Sequence, residues 1–474
     1  MGVLSIAQLM VVLDATVINI ALPRAQLSLG FSTANRQWLI TAYALAFGSL
    51  LLVGGRLSDL LGRRNALYIG LVGFALASAA GGAAHSFSML VTARAVQGAF
   101  GAVLAPAALA SLTTTFQDPK ERAKAFSIYG AISASGAAFG LLLGGALTQW
   151  ASWRWCLFIN LFFAAIALVG VALFVSAGKR DHETRLDPLG TVLGCGGLFM
   201  LVYGFSHAVS SNWANPFTWG SLVAGVVLLS AFTLWQRRAK FPLLPLHLVT
   251  NRTRAGSLIG LFITAIGLFG VSLFLAYYLQ NTLGYSPLRT GVAFLPLVGA
   301  IALSATVASA RLLAKVGPRP LVPVGMILGM LGMVLFTKLT VHPDYVGNVL
   351  PGLIVTGLGL GLIFAPATAS ATAAIKPADA GAASALVNTT QQIGGSVGTS
   401  LLNTLAVSAM MRALPKGPAA ASSSHAYELA KATIHGDAVA FWWSAGFFGV
   451  GALVTFALLE SGVPELEGDL VPLL

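Results

Sequence analysis

Gly55-Arg56-Leu57-Ser58-Asp59-Leu60-Leu61-Gly62-Arg63-Arg64 separates two long apolar runs, and Arg311-Leu312-Leu313-Ala314-Lys315-Val316-Gly317-Pro318-Arg319 separates two others. A shift of 255 residues lays Arg56 on Arg311, Gly62 on Gly317 and Arg64 on Arg319. The same shift carries the first apolar run onto the ninth, the second onto the tenth, the fourth onto the twelfth and the fifth onto the thirteenth. Apolar runs recur by chance; a charged motif aligned along with them does not readily do so. The chain is therefore read as two copies of one six-helix unit, with a segment inserted between them.

The runs themselves set the solvent. Hydrophobic residues make up 57% of the 474 positions and charged residues only 9%, against about 25% charged in a soluble domain. Val349–Phe364 and Leu157–Ala177 hold no charge at all. About 20 such residues in a helix cross the ~30 Å of bilayer hydrocarbon. Fourteen spans are predicted, at 4–23, 36–57, 66–84, 87–110, 123–149, 154–177, 187–208, 217–236, 255–280, 289–311, 318–338, 346–368, 381–407 and 437–459. The expected fold is an all-α membrane protein. Its parts are a six-helix half at 1–177, a two-helix insert with linkers at 178–254, a second six-helix half at 255–459 and a tail at 460–474. Met1–Pro23 has no basic leader and no small-residue cleavage site, and it carries Asp14 in its middle. It reads as the first span, expected behind a short missing leader, rather than as a signal peptide. Phe241–Arg254 reads either as a segment lying on the membrane face or as a plain connector.

A net charge of +12 invites a nucleic-acid reading, but the basic residues sit in short loops between apolar runs. With both termini cytoplasmic, 18 of the 27 Lys and Arg fall at cytoplasmic ends or loops, eight fall outside, and Arg94 falls within a span. This bias predicts an N-in, C-in protein of the cytoplasmic membrane. Cys156 and Cys195 lie in or beside apolar runs and read as packing residues. The sequence holds no phosphate-binding GxxxxGK[ST] loop and no acid, His or Cys cluster for a metal or a membrane-embedded enzyme. No metal, cofactor or nucleic acid is expected. The expected partners are lipid, protons and a small molecule, with the chain acting as a monomer.

Four stretches carry a family resemblance. They are Leu13-Asp14-Ala15-Thr16-Val17-Ile18-Asn19-Ile20-Ala21-Leu22-Pro23, the Gly55–Arg64 loop, Arg94-Ala95-Val96-Gln97-Gly98-Ala99-Phe100-Gly101 and Gly130–Gly145. Together with the two-helix insert they resemble the fourteen-helix drug:proton antiporters of the major facilitator superfamily. The resemblance implies a major facilitator fold, alternating access, and proton-driven export of drugs or amphipathic metabolites. Ala137 and Leu141 stand where that family's fifth-span motif has prolines. That departure keeps an importer or facilitator as the alternative; a membrane-embedded enzyme or sensor lacks a polar cluster or soluble domain to support it.

Asp14 and Arg94 are read as the only deep carboxylate and the only deep cation. An ionised Asp at mid-bilayer costs at least ~2.5 kcal/mol, so a role is expected. Asp14 lies nine residues before Pro23, about 13 Å along the helix, and Arg94 seven residues after Phe87, about 10 Å; the depths match and a pair is expected. Protonation of Asp14 would break it, which is a proton-coupling device; the alternative is a static ion pair that fixes packing. Gln97 shares the Arg94 face and is expected in the cavity or as packing glue. Gly136, Gly140 and Gly144 form a side-chain-free stripe, expected to seat against a helix of the other half. Asn388, Gln391 and Gln392 in span 13 are expected to line the substrate cavity. Asp59, Arg63 and Arg64 are expected to latch the cytoplasmic side, the alternative being a solvated loop that sets topology. Shifted by 255, Asp14 falls on Phe269 and Arg94 on Val349, so proton chemistry is expected in the first half alone. The lack of a second deep carboxylate favours neutral, monocationic or anionic substrates.

Overall fold

The structure is a computed structural model that describes residues 2–33, 35–115, 136, 139–175, 187–211, 213–239, 242–244, 246–308, 312–341, 344–373, 380–414 and 425–460. The regular elements among them are helices. In lipid this is what a charge-poor chain must do, since each buried backbone group needs a partner within its own segment. In the first half they are α1 (Gly2–Leu29), α2 (Trp38–Leu61), α3 (Arg63–Gly82), α4 (Phe87–Thr115), α5 (139–150) and α6 (Trp155–Phe174). The insert forms α7 (Pro188–Ser211) and α8 (Pro216–Gln236). The second half contains α9 (Arg252–Tyr277), α10 (Pro287–Ala293 and Leu295–Val307), α11 (Pro318–Phe336), α12 (Leu350–Thr372), α13 (Ala380–Ala413) and α14 (His425–Leu458). Eleven helical stretches among the described residues are long and apolar enough to cross a membrane.

Several helices end a few residues away from the expected spans, and two departures are larger. Span 10 is broken at Phe294, two residues before Pro296, where proline removes a backbone donor. The last helix begins at His425, twelve residues before the expected start at 437. Its opening turns are Ala-rich and helix-favouring but too polar for a hydropathy reading to include.

The repeat is visible in the backbone. Gly62 ends α2 at φ 80° and Gly317 opens α11 at φ 72°, a conformation that a side chain resists. These are the two glycines that the 255-residue shift superimposes. Helix pairs recur as well: α3 packs on α4 and α11 on α12, α2 on α4 and α10 on α12, α1 on α6 and α9 on α14. Arg64 donates from the start of α3 to the carbonyl of Ala172 at the end of α6 (3.3 Å). Its counterpart Arg319 lies over the Phe456 ring at the end of α14 (5.1 Å).

Asp187 stiffens the insert. It caps α7 through the Gly190 amide (2.9 Å) and accepts from Trp235 (2.9 Å) and Gln236 (2.9 Å) at the end of α8. The α7–α8 hairpin then lies across the boundary between halves, with α7 on both α2 and α13. Cys195 donates to the Ser49 carbonyl (3.2 Å), and Thr404 donates to the Phe205 carbonyl (3.2 Å).

The α1–α2 turn at Gly30 marks one end of the bundle and the α2–α3 turn at Gly62 the other. At the Gly30 end the halves are fastened by polar contacts. Tyr277 donates to Gln26 (2.5 Å), Gln280 to the Ile20 carbonyl (3.0 Å) and Arg36 to Asn403 (3.0 Å), and Asn403 donates to Gln37 (2.7 Å).

The glycine stripe does not face the other half. A Cβ at Gly136 would meet Leu9 and Val12, one at Gly140 would meet Thr16 and Leu13, and one at Gly144 would lie 3.0 Å from the Val17 carbonyl. All five neighbours are on α1. The second half repeats the device, with Gly394, Gly395 and Gly398 of α13 against Phe262, Phe269 and Ile266 of α9. Spacing identifies a close-packed face but not which helix meets it. Contact across the halves falls instead to Gly145, whose Cβ would lie 2.7 Å from Leu288 Cα.

Candidate functional site

Asp14 sits at the middle of α1, and four other helices converge on it. Arg94 and Gln97 are one turn apart on α4 and so share a face. Ser78 arrives from α3, Asn160 from α6, and the Leu39 carbonyl and Tyr43 from α2. Arg94 Nη1 donates to Asp14 Oδ2 at 2.6 Å, with both side chains 1% exposed. Gln97 Nε2 and Asn160 Nδ2 each donate to Asp14 Oδ1 at 2.8 Å. Gln97 Oε1 accepts from Arg94 Nη1 (2.7 Å). The Ser78 hydroxyl accepts from Gln97 (3.1 Å) and Asn160 (3.0 Å) and donates to the Leu157 carbonyl (2.8 Å). Arg94 Nε donates to the Leu39 carbonyl (3.2 Å), and the guanidinium lies 4.4 Å over the Tyr43 ring.

Such a network can exist in the membrane interior because it is nearly closed. A buried ion pair repays its desolvation only when further hydrogen bonds satisfy its remaining atoms. Here three donors meet two carboxylate oxygens. The pair therefore meets the depth argument, but in a sealed pocket within the first half and not on a cavity wall. Gln97 belongs to this network and not to a substrate cavity. The positions that the 255-residue shift pairs with Asp14, Ser78, Arg94 and Gln97 are Phe269, Met333, Val349 and Gly352, so the second half has no counterpart.

Sequence reasoning missed Ser78, Asn160 and Tyr43. Asn160 had a signal: it is the one amide in an otherwise apolar run, and a polar group there needs a partner. Ser78 and Tyr43 carried none, since serine and tyrosine are ordinary in transmembrane helices.

Asp14 and Arg94 are not the only deep charges. Asp437 is 3% exposed and Arg36 2%. Asp437 falls inside α14 because that helix starts early, and Arg36 folds inward from the loop before α2. This removes the argument against dicationic substrates drawn from a single carboxylate.

The other candidates disperse. Gln392 lies on the α2–α13 boundary, where a Cβ on Gly48 would come 2.8 Å from its own Cβ. Gln391 is half-buried and Asn388 exposed one turn earlier on the same helix. Arg63 and Arg64 are half-buried at the start of α3, and Arg56 donates to the Pro242 carbonyl in the linker (3.1 Å). The side chain of Asp59 lies outside the described residues, as does the front of the fifth span.

The model of the Major Facilitator Superfamily matches residues 4–399. The chain belongs to this superfamily. It is similar to the puromycin resistance protein pur8 of Streptomyces alboniger, 47% identical over 96% of this chain and 90% of that one. It is 36% identical to the cephamycin export protein CmcT of Amycolatopsis lactamdurans over 84% and 83% of the two chains. The tetracenomycin C resistance and export protein of Streptomyces glaucescens is 35% identical, over 85% and 75%. Among solved structures, a POT family transporter superposes with a TM-score of 0.70 at 14% identity, covering 96% and 97% of the two chains. A bacterial homologue of the lysosomal transporter Spinster, inward-facing, gives 0.65 at 17%, covering 96% and 95%. At these identities the structures speak for the fold. This superfamily member is thus an all-helical, multi-pass membrane transporter whose relatives are named for antibiotic resistance and export.

Proposed function

We propose that this transporter exports antibiotics or related amphipathic metabolites in exchange for protons. It works by alternating access across the cytoplasmic membrane, through fourteen spans with both termini inside. The basic bias of the loops makes the Gly30 end the outer face, so the conformation described is closed to the outside. The kinship with resistance and export proteins supports the drug class. The observation that carries the coupling is Asp14, a buried carboxylate held by one guanidinium and two amides. Loading a proton there deletes the ion pair and weakens what holds α1 to α4 and α6. The glycine seam lets α5 follow α1, so a local charge change becomes a helix movement.

The test is transport in proteoliposomes under an imposed pH gradient, with puromycin, a cephamycin and tetracenomycin C as probes. Wild type is expected to accumulate at least one of them against its gradient, and Asp14→Asn to bind it with uphill transport reduced about tenfold or more. Uphill transport at the wild-type rate by Asp14→Asn would leave the pair a static packing element. Ala137 and Leu141, in place of prolines, keep uptake as the second reading. The direction in which the same pH gradient drives the probe separates the two.

A further inference from the structure

At the Gly30 end the halves meet along two seams, α5 against α10 and α13 against α2, and the 255-residue shift exchanges one seam for the other. On the first seam backbones touch. A Cβ at Gly145 would lie 2.7 Å from Leu288 Cα, and one at Gly291 would run into the Leu141 carbonyl. On the second seam Arg36 stands at the position that the shift pairs with Gly291, and a long side chain does the joining. Its guanidinium lies 4.4 Å over the Tyr277 ring and 5.4 Å from the centre of the Phe274 ring, both on α9. Its Nε donates to Asn403 Oδ1 of α13 (3.0 Å). Arg36 and these three partners are all buried. The Tyr277 hydroxyl, for its part, donates to Gln26 of α1 (2.5 Å). Among the described residues no carboxylate lies within 4 Å of the Arg36 guanidinium.

We propose that Tyr277, Phe274 and Asn403 form a cation pocket in the second half, and that Arg36 of the first half is the bolt seated in it, withdrawn when the outer end opens. The pocket has the chemistry for this occupant. Two aromatic faces attract a desolvated guanidinium, and an amide oxygen fixes its direction. The seat is also releasable. A buried charge with no carboxylate partner is only partly repaid for its lost water, and Arg36 stands in the loop before α2, at the end of the bundle. Withdrawing it restores hydration and breaks one side-chain hydrogen bond. Arg94, in contrast, would leave a carboxylate, an amide and a carbonyl behind. The bolt also lies where it must act, because both rings and Asn403 belong to the half that has to part from Arg36. This rests on the alternating-access reading. It does not rest on the direction of transport or on the role of Asp14.

The test measures conformation without substrate or pH gradient, so it fails separately from the transport assay. Spin labels are placed at Ser32→Cys before α2 and Met411→Cys on α13, both exposed, in the full chain carrying Cys156→Ala and Cys195→Ala. Distances across the α13–α2 seam are recorded by pulsed electron resonance in nanodiscs. Arg36→Ala should raise the ratio of long to short distances about threefold or more over the labelled parent. Tyr277→Leu should raise it too, and the double variant should be no more open than the more open single, because each change empties the same seat. Tyr277→Phe keeps the ring and loses the bond to Gln26, so it should open less than Tyr277→Leu. A parent-like distribution in Arg36→Ala overturns the proposal, as do effects of Arg36→Ala and Tyr277→Leu that multiply. Equal opening by Tyr277→Phe and Tyr277→Leu overturns it as well, since the hydroxyl and not the ring would then be the fastener. If Arg36→Ala fails to fold, Arg36→Met keeps the stem and drops the charge. An unchanged distribution in that variant overturns the bolt equally.

Discussion

Two buried arginines in this transporter are held differently. Asp14 and Arg94 lie within one half, 2.6 Å apart, and three donors meet the carboxylate. Arg36 reaches from the first half into the second, with one hydrogen bond to Asn403 and its guanidinium over the Tyr277 and Phe274 rings. In a low-dielectric interior a satisfied network is rigid and an unsatisfied one is poised to change. The first couple keeps helices α1, α2, α3, α4 and α6 in register, and changing it requires a proton or a large movement. Arg36 has one side-chain hydrogen bond to break, and it spans the boundary between the halves.

The largest effect should follow from breaking the satisfied couple. Arg94→Ala strands a buried carboxylate and is expected to cost about 3–5 kcal/mol, read as a loss of folded protein in detergent and of efflux. Arg94→Lys should restore only part, because a point charge cannot also serve the Leu39 carbonyl and Gln97 in the fork geometry. Arg36→Ala should cost clearly less, since one side-chain hydrogen bond is lost. Equal destabilisation by Arg36→Ala and Arg94→Ala in thermal unfolding would erase the distinction between the two arginines.

Next in size is the seam beside the first couple. Gly140→Leu is expected to push α5 off α1 at Thr16 and cost about 1–3 kcal/mol by overpacking, with transport lost. The smaller Gly140→Ala should be partly rescued by Thr16→Ala, because the Thr16 side chain is what the new methyl meets. Gly140→Ala efflux that Thr16→Ala leaves unchanged would place the seam's partner elsewhere.

What could be read beforehand depended on how costly each residue is in lipid. Asp14 and Arg94 were conspicuous because a charge in an apolar run demands an explanation, and their depths predicted the pairing. The internal repeat is readable from one charged loop and its copy, and the recurring helix pairs follow it. Asp437 escaped because the turns before it are polar, so the last helix appeared to start at Asp437 itself. Arg36 escaped because an arginine beside Trp38 is ordinary at a membrane boundary. The glycine stripes were visible as stripes, but a periodicity names a face and not its neighbour. Gln97 stays open between cavity and packing in the sequence because a polar residue on an inward face has two uses, and only the positions of Ser78 and Asn160 decide between them.

The smallest expected effect tests that last point. Ser78 touches neither Asp14 nor Arg94; it accepts from Gln97 and Asn160 and so fixes the direction in which both amides present their donors. Ser78→Ala removes one acceptor shared by two amides that keep their bonds to Asp14, and the expected cost is about 1 kcal/mol. If Ser78 serves only packing, efflux should fall with stability and show no change in pH dependence. If it positions the two donors, Asp14 loses part of the stabilisation of its ionised form. The pH profile of proton-driven efflux then moves while thermal stability changes little. Ser78→Thr keeps the hydroxyl and should leave the profile where it is. An unshifted profile in Ser78→Ala, measured in the same proteoliposomes as Asp14→Asn, would reduce Ser78 to filler and leave Gln97 and Asn160 held by Asp14 alone.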